Sequence, residues 1–426
     1  MFDETIVAEA TAPGRAGVSV IRVSGSKAVE VAGNLNARNL KPRFAHRRTL
    51  QWQNDVIDDA LVLWFAEPAS FTGEDVVEFH VHGSRAVVRR VLDVCCLVEG
   101  VRVAEPGEFT RRALENGKLN LSQVEGLADL IDAQTELQRR QAVEIFGGSL
   151  ASKVDGWRKD LIQASALLMA VIDFSDDDVP EEVDAEVLRL IETVGREIDA
   201  EVAGSSSARA LREGFEVAIV GAPNVGKSTL LNAIADREVA ITSEVAGTTR
   251  DVLEVAVDLS GLMVRFLDTA GLRETNDTIE AIGVSRAQER AEKADLRIYL
   301  KLDERESPFL ELRSGDIVVS GKADLTGHGV SGLTGQGVED VLARVGDELK
   351  HRAALSTGWG HERHLKKLKE ASSIIETSIE MMKLNAQPEE ASEMLRRVMT
   401  VLKELIGSVD VEDVLDDVFS KFCLGK

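Results

Sequence analysis

The sequence predicts a multidomain α/β plus α protein: an N-terminal α/β domain, a helical domain discontinuous in sequence, and a second α/β domain inserted into it. Three observations carry this prediction. Short β-branched runs mark residues 1–118 and then vanish from Leu119 to Arg212, where only helical spacing remains. At Phe215 the period changes abruptly to buried strands alternating with helices. After His351 helical spacing returns. A length of 426 residues accommodates two to three domains at about 150 residues each.

In residues 1–118, Val18 to Val23, Ala60 to Phe65 and Val76 to Val81 read as strands bounded by Gly, Pro or Asp, and Arg85 to Val98 has helical spacing. Residues 119–213 form the first helical part. Leu121, Val124, Leu127, Ala128 and Ile131 keep i, i+3, i+4 spacing, as do Leu161, Ala164, Leu168, Val171 and Ile172, with a break at Ser175 to Pro180. Residues 214–350 form the inserted domain, opening with the buried-strand run Glu216 to Val220, and the βαβ alternation predicts a mostly parallel sheet. Residues 351–426 are the second helical part, through Leu365 to Met382 and Glu390 to Ile406. Insertion is tolerated where the host's chain ends lie close together.

Composition narrows the class. Hydrophobic residues make up 44% and charged residues 29% of the chain, ordinary values for a globular protein, which excludes disordered and collagen-like classes. The longest apolar runs, Ala164 to Ile172 and Val91 to Val98, fall short of the roughly 20 residues of a membrane span, so no membrane association is expected. Met1-Phe2-Asp3-Glu4 lacks the basic and apolar regions of a secretory signal. Cys95, Cys96 and Cys423 show no CxxC spacing, which fits a cytoplasmic location, and Cys95 and Cys96 read as core residues of an apolar helix. The formal charge is −23. Residues 119–213 carry 9 basic and 20 acidic side chains and residues 214–350 carry 15 and 24, whereas residues 1–118 carry 15 and 16. A polyanion would therefore meet least repulsion at the first segment and the last.

Gly221-Ala222-Pro223-Asn224-Val225-Gly226-Lys227-Ser228 follows a strand and precedes the helical run Thr229 to Ala235, the strand, loop and helix setting of a P-loop. Its backbone N–H groups converge on phosphates, Lys227 reaches the β and γ oxygens, and Ser228 suits Mg²⁺. Gly247-Thr248-Thr249-Arg250-Asp251 lies before the next strand, where a Thr can supply a second Mg²⁺ ligand. Asp268-Thr269-Ala270-Gly271 ends the run Met263 to Leu267, placing a carboxylate near the metal and a Gly N–H near the γ-phosphate. Lys322-Ala323-Asp324 follows Asp316 to Ser320, and Asp324 is positioned to accept the N1 and N2 protons of guanine, a pair adenine cannot make. Order and spacing together predict a Ras-like GTPase domain. Leu272, next after Asp-Thr-Ala-Gly, cannot orient a water as a glutamine does, so hydrolysis needs another group. From the residues alone, Glu274, Asp277 and Glu280 read as loop acids.

These motifs, with Asp-Thr-Ala-Gly-Leu-Arg, the terminal Phe422-Cys423-Leu424-Gly425-Lys426, and the N-terminal Thr5-Ile6-Val7-Ala8, Pro13-Gly14-Arg15-Ala16-Gly17-Val18, Phe71-Thr72-Gly73-Glu74-Asp75 and Pro106-Gly107-Glu108-Phe109, resemble the MnmE (TrmE) family of tRNA-modification GTPases. The match spans the chain. The resemblance implies an N-terminal folate-binding and dimerisation domain, a discontinuous helical domain, and an inserted G domain that pairs in a homodimer and needs K⁺ to hydrolyse GTP. It further implies a heterotetramer with the FAD-dependent MnmG (GidA). That assembly would add a carboxymethylaminomethyl or aminomethyl group to carbon 5 of the wobble uridine (U34) of certain tRNAs. The one-carbon donor would be a reduced folate, 5-formyl- or 5,10-methylene-tetrahydrofolate.

By position, the resemblance assigns GTP contacts to Asn224, Val225, Gly226, Lys227, Ser228 and Thr229, to Ser243, Glu244, Val245, Ala246, Gly247, Thr248 and Thr249, to Asp268, Thr269, Ala270 and Gly271, and to Lys322, Asp324, Ser331, Gly332 and Leu333. It implies Mg²⁺ at Ser228 and Thr249, K⁺ at Asn224, Ser243, Val245 and Thr248, and Glu280 as the catalytic acid that positions water. Arg22, Glu78, Lys118 and Lys426 fall at folate positions, and Cys423 is either a residue acting near the folate carbon or a small packing residue. Two departures stand out. Gly321 replaces the Asn that opens the family's guanine motif and braces its loop against the P-loop, so guanine affinity is expected to fall. Gly332 stands where Ala is usual. A ribosome-assembly GTPase shares the P-loop but not Arg22, Glu78, Lys118 or the Cys-containing tail, and a GTP-binding scaffold without chemistry needs none of them.

Overall fold

The computed structural model describes residues 4–173, 182–222, 224–237, 254–268, 289–302, 311–354, 359–384, 387–407 and 425. Two units emerge, Met1–Ala128 with Ile406–Lys426, and Asp129–Leu405. The last segment thus groups, through Ile406, Gly407 and Gly425, with the N-terminal residues, whereas the periodicity attaches it to the second helical part.

In the first unit, β1 (Thr5–Glu9), β2 (Ala16–Ser24), β3 (His46–Trp52), β4 (Asp55–Phe65), β5 (Val76–Gly83) and β6 (Val101–Val103) form one sheet in the order β3-β4-β5-β2-β1-β6. Its neighbours are antiparallel except β1 and β6. Side chains alternate across a strand, so Ile21 and Val23 of β2 go to one face and Arg22 and Ser24 to the other. The first face is the main core, where Ile21, Val23, Val77, Phe79 and Val81 pack with Ala28 and Val31 of α1 (Ala28–Asn34) and Val88, Val91, Val94 and Cys95 of α2 (Arg85–Cys95). Phe79 is fully buried, and Phe79→Ala would cost about 3–5 kcal/mol. Helix α2 ends at Cys95, so Cys96, expected in the core, is exposed. On the second face Ile6, Ala8 and Ala104 pack against Phe109 of α3 (Glu108–Glu115).

Beyond α4 (Leu121–Asp132), helix α5 (Glu136–Phe146) starts with a Thr135/Gln138 capping box, a device that stabilises a helix start by about 1 kcal/mol. In the second unit α6 (Ser149–Asp173) and α7 (Glu182–Glu213) precede the second sheet, and α11 (Glu362–Lys383) and α12 (Pro388–Leu405) follow it. These four close a bundle in which α6 packs on α7, α7 on α11, α11 on α12 and α12 on α6. Its core includes Trp157, Leu161, Ile191, Val194, Leu368, Ile375, Leu395 and Val398. Helices far apart in sequence thus share one core, as the discontinuous helical reading requires.

The second sheet has the order β11-β10-β7-β9-β8, from β7 (Phe215–Gly221), β8 (Glu254–Leu259), β9 (Leu262–Asp268), β10 (Leu296–Lys301) and β11 (Ile317–Ser320). All pairs are parallel except the β8–β9 hairpin. Strand β7 lies at the centre and is buried almost throughout, as a continuous apolar run in a parallel sheet should be. Among the described residues this part also holds helices α8 (Lys227–Ala235), α9 (Ala323–Thr326) and α10 (Val338–Ala353), with Leu230, Leu231, Val341 and Val345 in its core. The fold class is therefore multidomain α/β plus α. Among the described residues, no helix is long and apolar enough to cross a membrane.

Candidate functional site

The second unit gathers its described motif residues at the carboxyl ends of the parallel strands, where ligands of open α/β sheets bind. Strand β7 runs into the loop and α8 begins at Lys227, so that loop N–H groups and the helix N-terminus lie together. The Lys227 ammonium donates to the carbonyls of Gly221 and Ala222, each at 2.9 Å. Its side chain therefore lies along its own loop. Ser228 Oγ donates to Asp268 Oδ2 at 2.5 Å. Asp268 closes β9 as the register partner of Ile219, so sheet pairing brings this carboxylate beside the P-loop. A hydroxyl and a carboxylate are hard oxygen donors and fit Mg²⁺.

At the other end, Lys322 takes a left-handed backbone (φ 55°) and leads into α9, which leaves Asp324 exposed. Ser331 Oγ donates to Asp324 Oδ1 at 2.6 Å, fixing one carboxylate oxygen. Leu333 stands out into solvent and Gly332 is half-buried. Asn224 also has a left-handed backbone (φ 60°), and Val225 is buried beneath the loop. Ser243, Glu244, Val245, Ala246, Gly247, Thr248, Thr249, Thr269, Ala270, Gly271 and Glu280 lie outside the described residues. The structure thus brings together Lys227, Ser228 and Asp268 at one point, and Asp324 and Ser331 at another.

The first unit holds a separate constellation. Arg22 and Glu78 are cross-strand partners on β2 and β5, and Arg22 Nε donates to Glu78 Oε1 at 2.9 Å. The Arg22 guanidinium lies 5.6 Å from the Phe71 ring centroid and 5.7 Å from that of Phe109. It also donates to the Gly425 carbonyl at 3.4 Å, which ties the chain's end to this face. His80 Nε2 stands 3.5 Å from the other Glu78 oxygen. Lys118 is exposed beside Gly73, two residues along from Phe71; an ideal Cβ on Gly73 would lie 3.5 Å from Lys118 Cε. Lys426 and Cys423 lie outside the described residues. A carboxylate and a guanidinium beside two aromatic rings fit a ligand with an N–H edge, a flat ring and anionic groups.

An ion cluster beneath this face escapes a linear reading. Arg112 is 1% exposed and donates to Glu74 Oε2 at 3.1 Å and Glu108 Oε1 at 2.9 Å. Glu108 also accepts both terminal nitrogens of Arg102 at 2.8 Å. Burial raises the Glu108 carboxyl, but hydrogen bonds from Arg102, the Glu105 amide and Arg112 outweigh it and hold the group below its ordinary value. Glu74 in turn accepts from Ser24, which meets Thr72 at 2.7 Å. The Phe71–Asp75 and Pro106–Phe109 motifs are thus joined through Arg112.

Comparison with known proteins follows this division. A model described as "GTP-binding protein TrmE N-terminus" matches residues 5–118, and one described as "MnmE helical domain" matches residues 121–423. The protein named tRNA modification GTPase MnmE from Cereibacter sphaeroides is 51% identical over 427 residues, covering 99% of this chain and 100% of that one. Proteins of the same name from Roseobacter denitrificans and Caulobacter vibrioides are 51% and 45% identical, each over 99% of this chain and 100% of their own. Matched end to end by these relatives and in both parts by the family's models, the chain belongs to the MnmE (TrmE) family of tRNA modification GTPases.

Proposed function

We propose that this chain is a GTP-hydrolysing enzyme of tRNA modification that acts in the cytoplasm on the wobble uridine of certain tRNAs, with an FAD-dependent partner and a reduced folate. Its organisation in this reading is residues 1–118 for folate and dimerisation, 119–213 and 351–426 as helical parts, and 214–350 as the G domain. The observation that carries the reading is the 2.5 Å contact of Ser228 with Asp268, which unites the P-loop with the end of β9.

Each side chain has a task. Lys227 exchanges its loop carbonyls for β and γ phosphate oxygens and neutralises their charge. Asp324, held by Ser331, accepts the two N–H groups of guanine. Ser228 and Thr249, with Asp268 behind them, would hold Mg²⁺, which offsets charge on the phosphate oxygens. Asn224, with Ser243, Val245 and Thr248, would hold K⁺, which serves where other GTPases use an arginine. Glu280 orients the attacking water, the role Leu272 cannot fill. Arg22 and Glu78, with Lys118 and Lys426, bind the folate, and Cys423 acts near the folate carbon.

The test is GTP turnover in K⁺ and in Na⁺, with Glu280→Ala alongside. Turnover that needs K⁺ and is lost in the variant, while GDP binding persists, is the expected result. Equal rates in the two salts would remove the K⁺ site, and full activity of Glu280→Ala would remove the acid.

A further inference from the structure

The loss of the bracing Asn at position 321 suggests a loosened guanine loop, but the backbone packing indicates the opposite. An ideal Cβ on Gly321 would lie 2.7 Å from the carbonyl oxygen of Val225 in the P-loop. An ideal Cβ on Gly332 would lie 2.3 Å from the carbonyl oxygen of Thr229 and 2.5 Å from the amide nitrogen of Leu230, in the first turn of α8. No carbon tolerates these approaches, and the opposing atoms are backbone, which cannot swing aside. The two guanine loops therefore rest directly on the phosphate-binding loop and its helix, at distances only glycine allows.

The loops between these contacts are knitted together. The Val330 amide donates to Ser320 O at 2.8 Å, the Ala323 amide to Val330 O at 3.2 Å, and the Ser331 hydroxyl to Asp324 at 2.6 Å. Gly321 N also donates to Lys301 O at 2.8 Å, which ties the loop to the carboxyl end of β10. A displacement at either glycine would be carried through this knot to the Asp324 carboxylate.

We propose that Gly321 and Gly332 are paired positioning residues, which replace side-chain bracing by backbone-on-backbone seating and so set the distance between Asp324 and the P-loop. This inference rests on the reading of the second unit as a guanine-nucleotide site. It reverses the expectation from sequence: restoring the family's usual residue at either position weakens binding, because the loop must move off its seat.

The test is equilibrium binding of GDP, ADP and pyrophosphate to the full chain and to Gly321→Asn, Gly321→Ala and Gly332→Ala. Thermal unfolding checks that each variant is folded. The expected result is a loss of GDP affinity on the order of tenfold to a hundredfold, since small misplacements of a recognising group have such effects. Pyrophosphate, which touches only the P-loop end, should bind unchanged. Should Gly321→Asn unfold, Gly321→Ala carries the same single clash. Unchanged or tighter GDP binding in the folded variants would overturn the inference, as would an equal loss for GDP and pyrophosphate, which a merely structural role predicts. A parent chain that binds ADP as tightly as GDP would instead overturn the underlying guanine reading.

Discussion

Arg22 donates to Glu78 at 2.9 Å across two paired strands, on the sheet face opposite the main core formed by Ile21 and Phe79. Both side chains are about one-fifth exposed, at 21% and 17%, so a ligand can reach them while the strands hold them in register. Glu78→Gln keeps the shape and removes the charge. Binding of 5-formyl-tetrahydrofolate, measured by calorimetry, is expected to weaken on the order of tenfold, because a charge-assisted hydrogen bond is about twice as strong as a neutral one. GTP turnover without folate should be unaffected. Unaltered folate binding would remove Glu78 from the site.

The Ser228–Asp268 contact predicts a metal phenotype. Asp268→Asn should lower Mg²⁺ affinity in the presence of GDP by about 10–100-fold, the usual cost of disturbing a residue behind a metal ligand. A Mg²⁺ titration of GDP release reads this. An unshifted titration would separate Asp268 from the metal.

Arg297 and Asp316 pair through buried side chains, 4% and 5% exposed, and Arg297 Nη2 also donates to Glu311 O at 2.8 Å. Breaking it with Asp316→Ala leaves a buried guanidinium without its counter-charge and should cost about 3–5 kcal/mol. Because a chain of several domains does not unfold in one step, the check is faster hydrogen exchange confined to β10 and β11. Full protection there would refute the assignment.

Glu201 predicts a pH effect. It is 3% exposed, and burial raises its carboxyl above the ordinary value although Lys153 pairs with it and opposes the rise. For an acid whose folded pKa is raised, the folded state favours the proton. Stability is therefore undiminished below the unfolded pKa and declines as pH rises toward the folded one. Glu201→Gln should slow hydrogen exchange in α7, relative to the parent chain, more at pH 7 than at pH 4. The opposite ordering would show that the Lys153 pair, not burial, dominates.

Much of this was legible in local pattern. The switch of period at Phe215 marks the inserted sheet because a strand buried on both faces must be continuously apolar, and β7 is such a strand. The helical stretches on either side gave their faces away by i, i+3, i+4 spacing. Strands β1, β3 and β6 were not singled out: β6 has only three residues, and β3 carries two arginines in its seven. Cys96 read as core because the apolar run continues past it, yet the helix ends one residue earlier. Glu108 and Arg112 stand at i, i+4 spacing on α3, but their meeting with Glu74 has no linear sign, since it depends on where α3 packs.

By itself, then, the sequence determined the fold class and the local chemistry of the P-loop and the Asp324 loop, because these depend on short-range periodicity and on residues a few positions apart. Only the tertiary structure decided which distant groups meet: Arg22 with Glu78 and the Gly425 carbonyl, Ser228 with Asp268, and Arg297 with Asp316. Strand register and helix packing set these contacts, and neither is written in local spacing. The same holds for Gly321. Its sequence position suggests a missing brace, whereas the tertiary structure sets its backbone so near the P-loop that an ideal Cβ there would lie 2.7 Å from Val225 O.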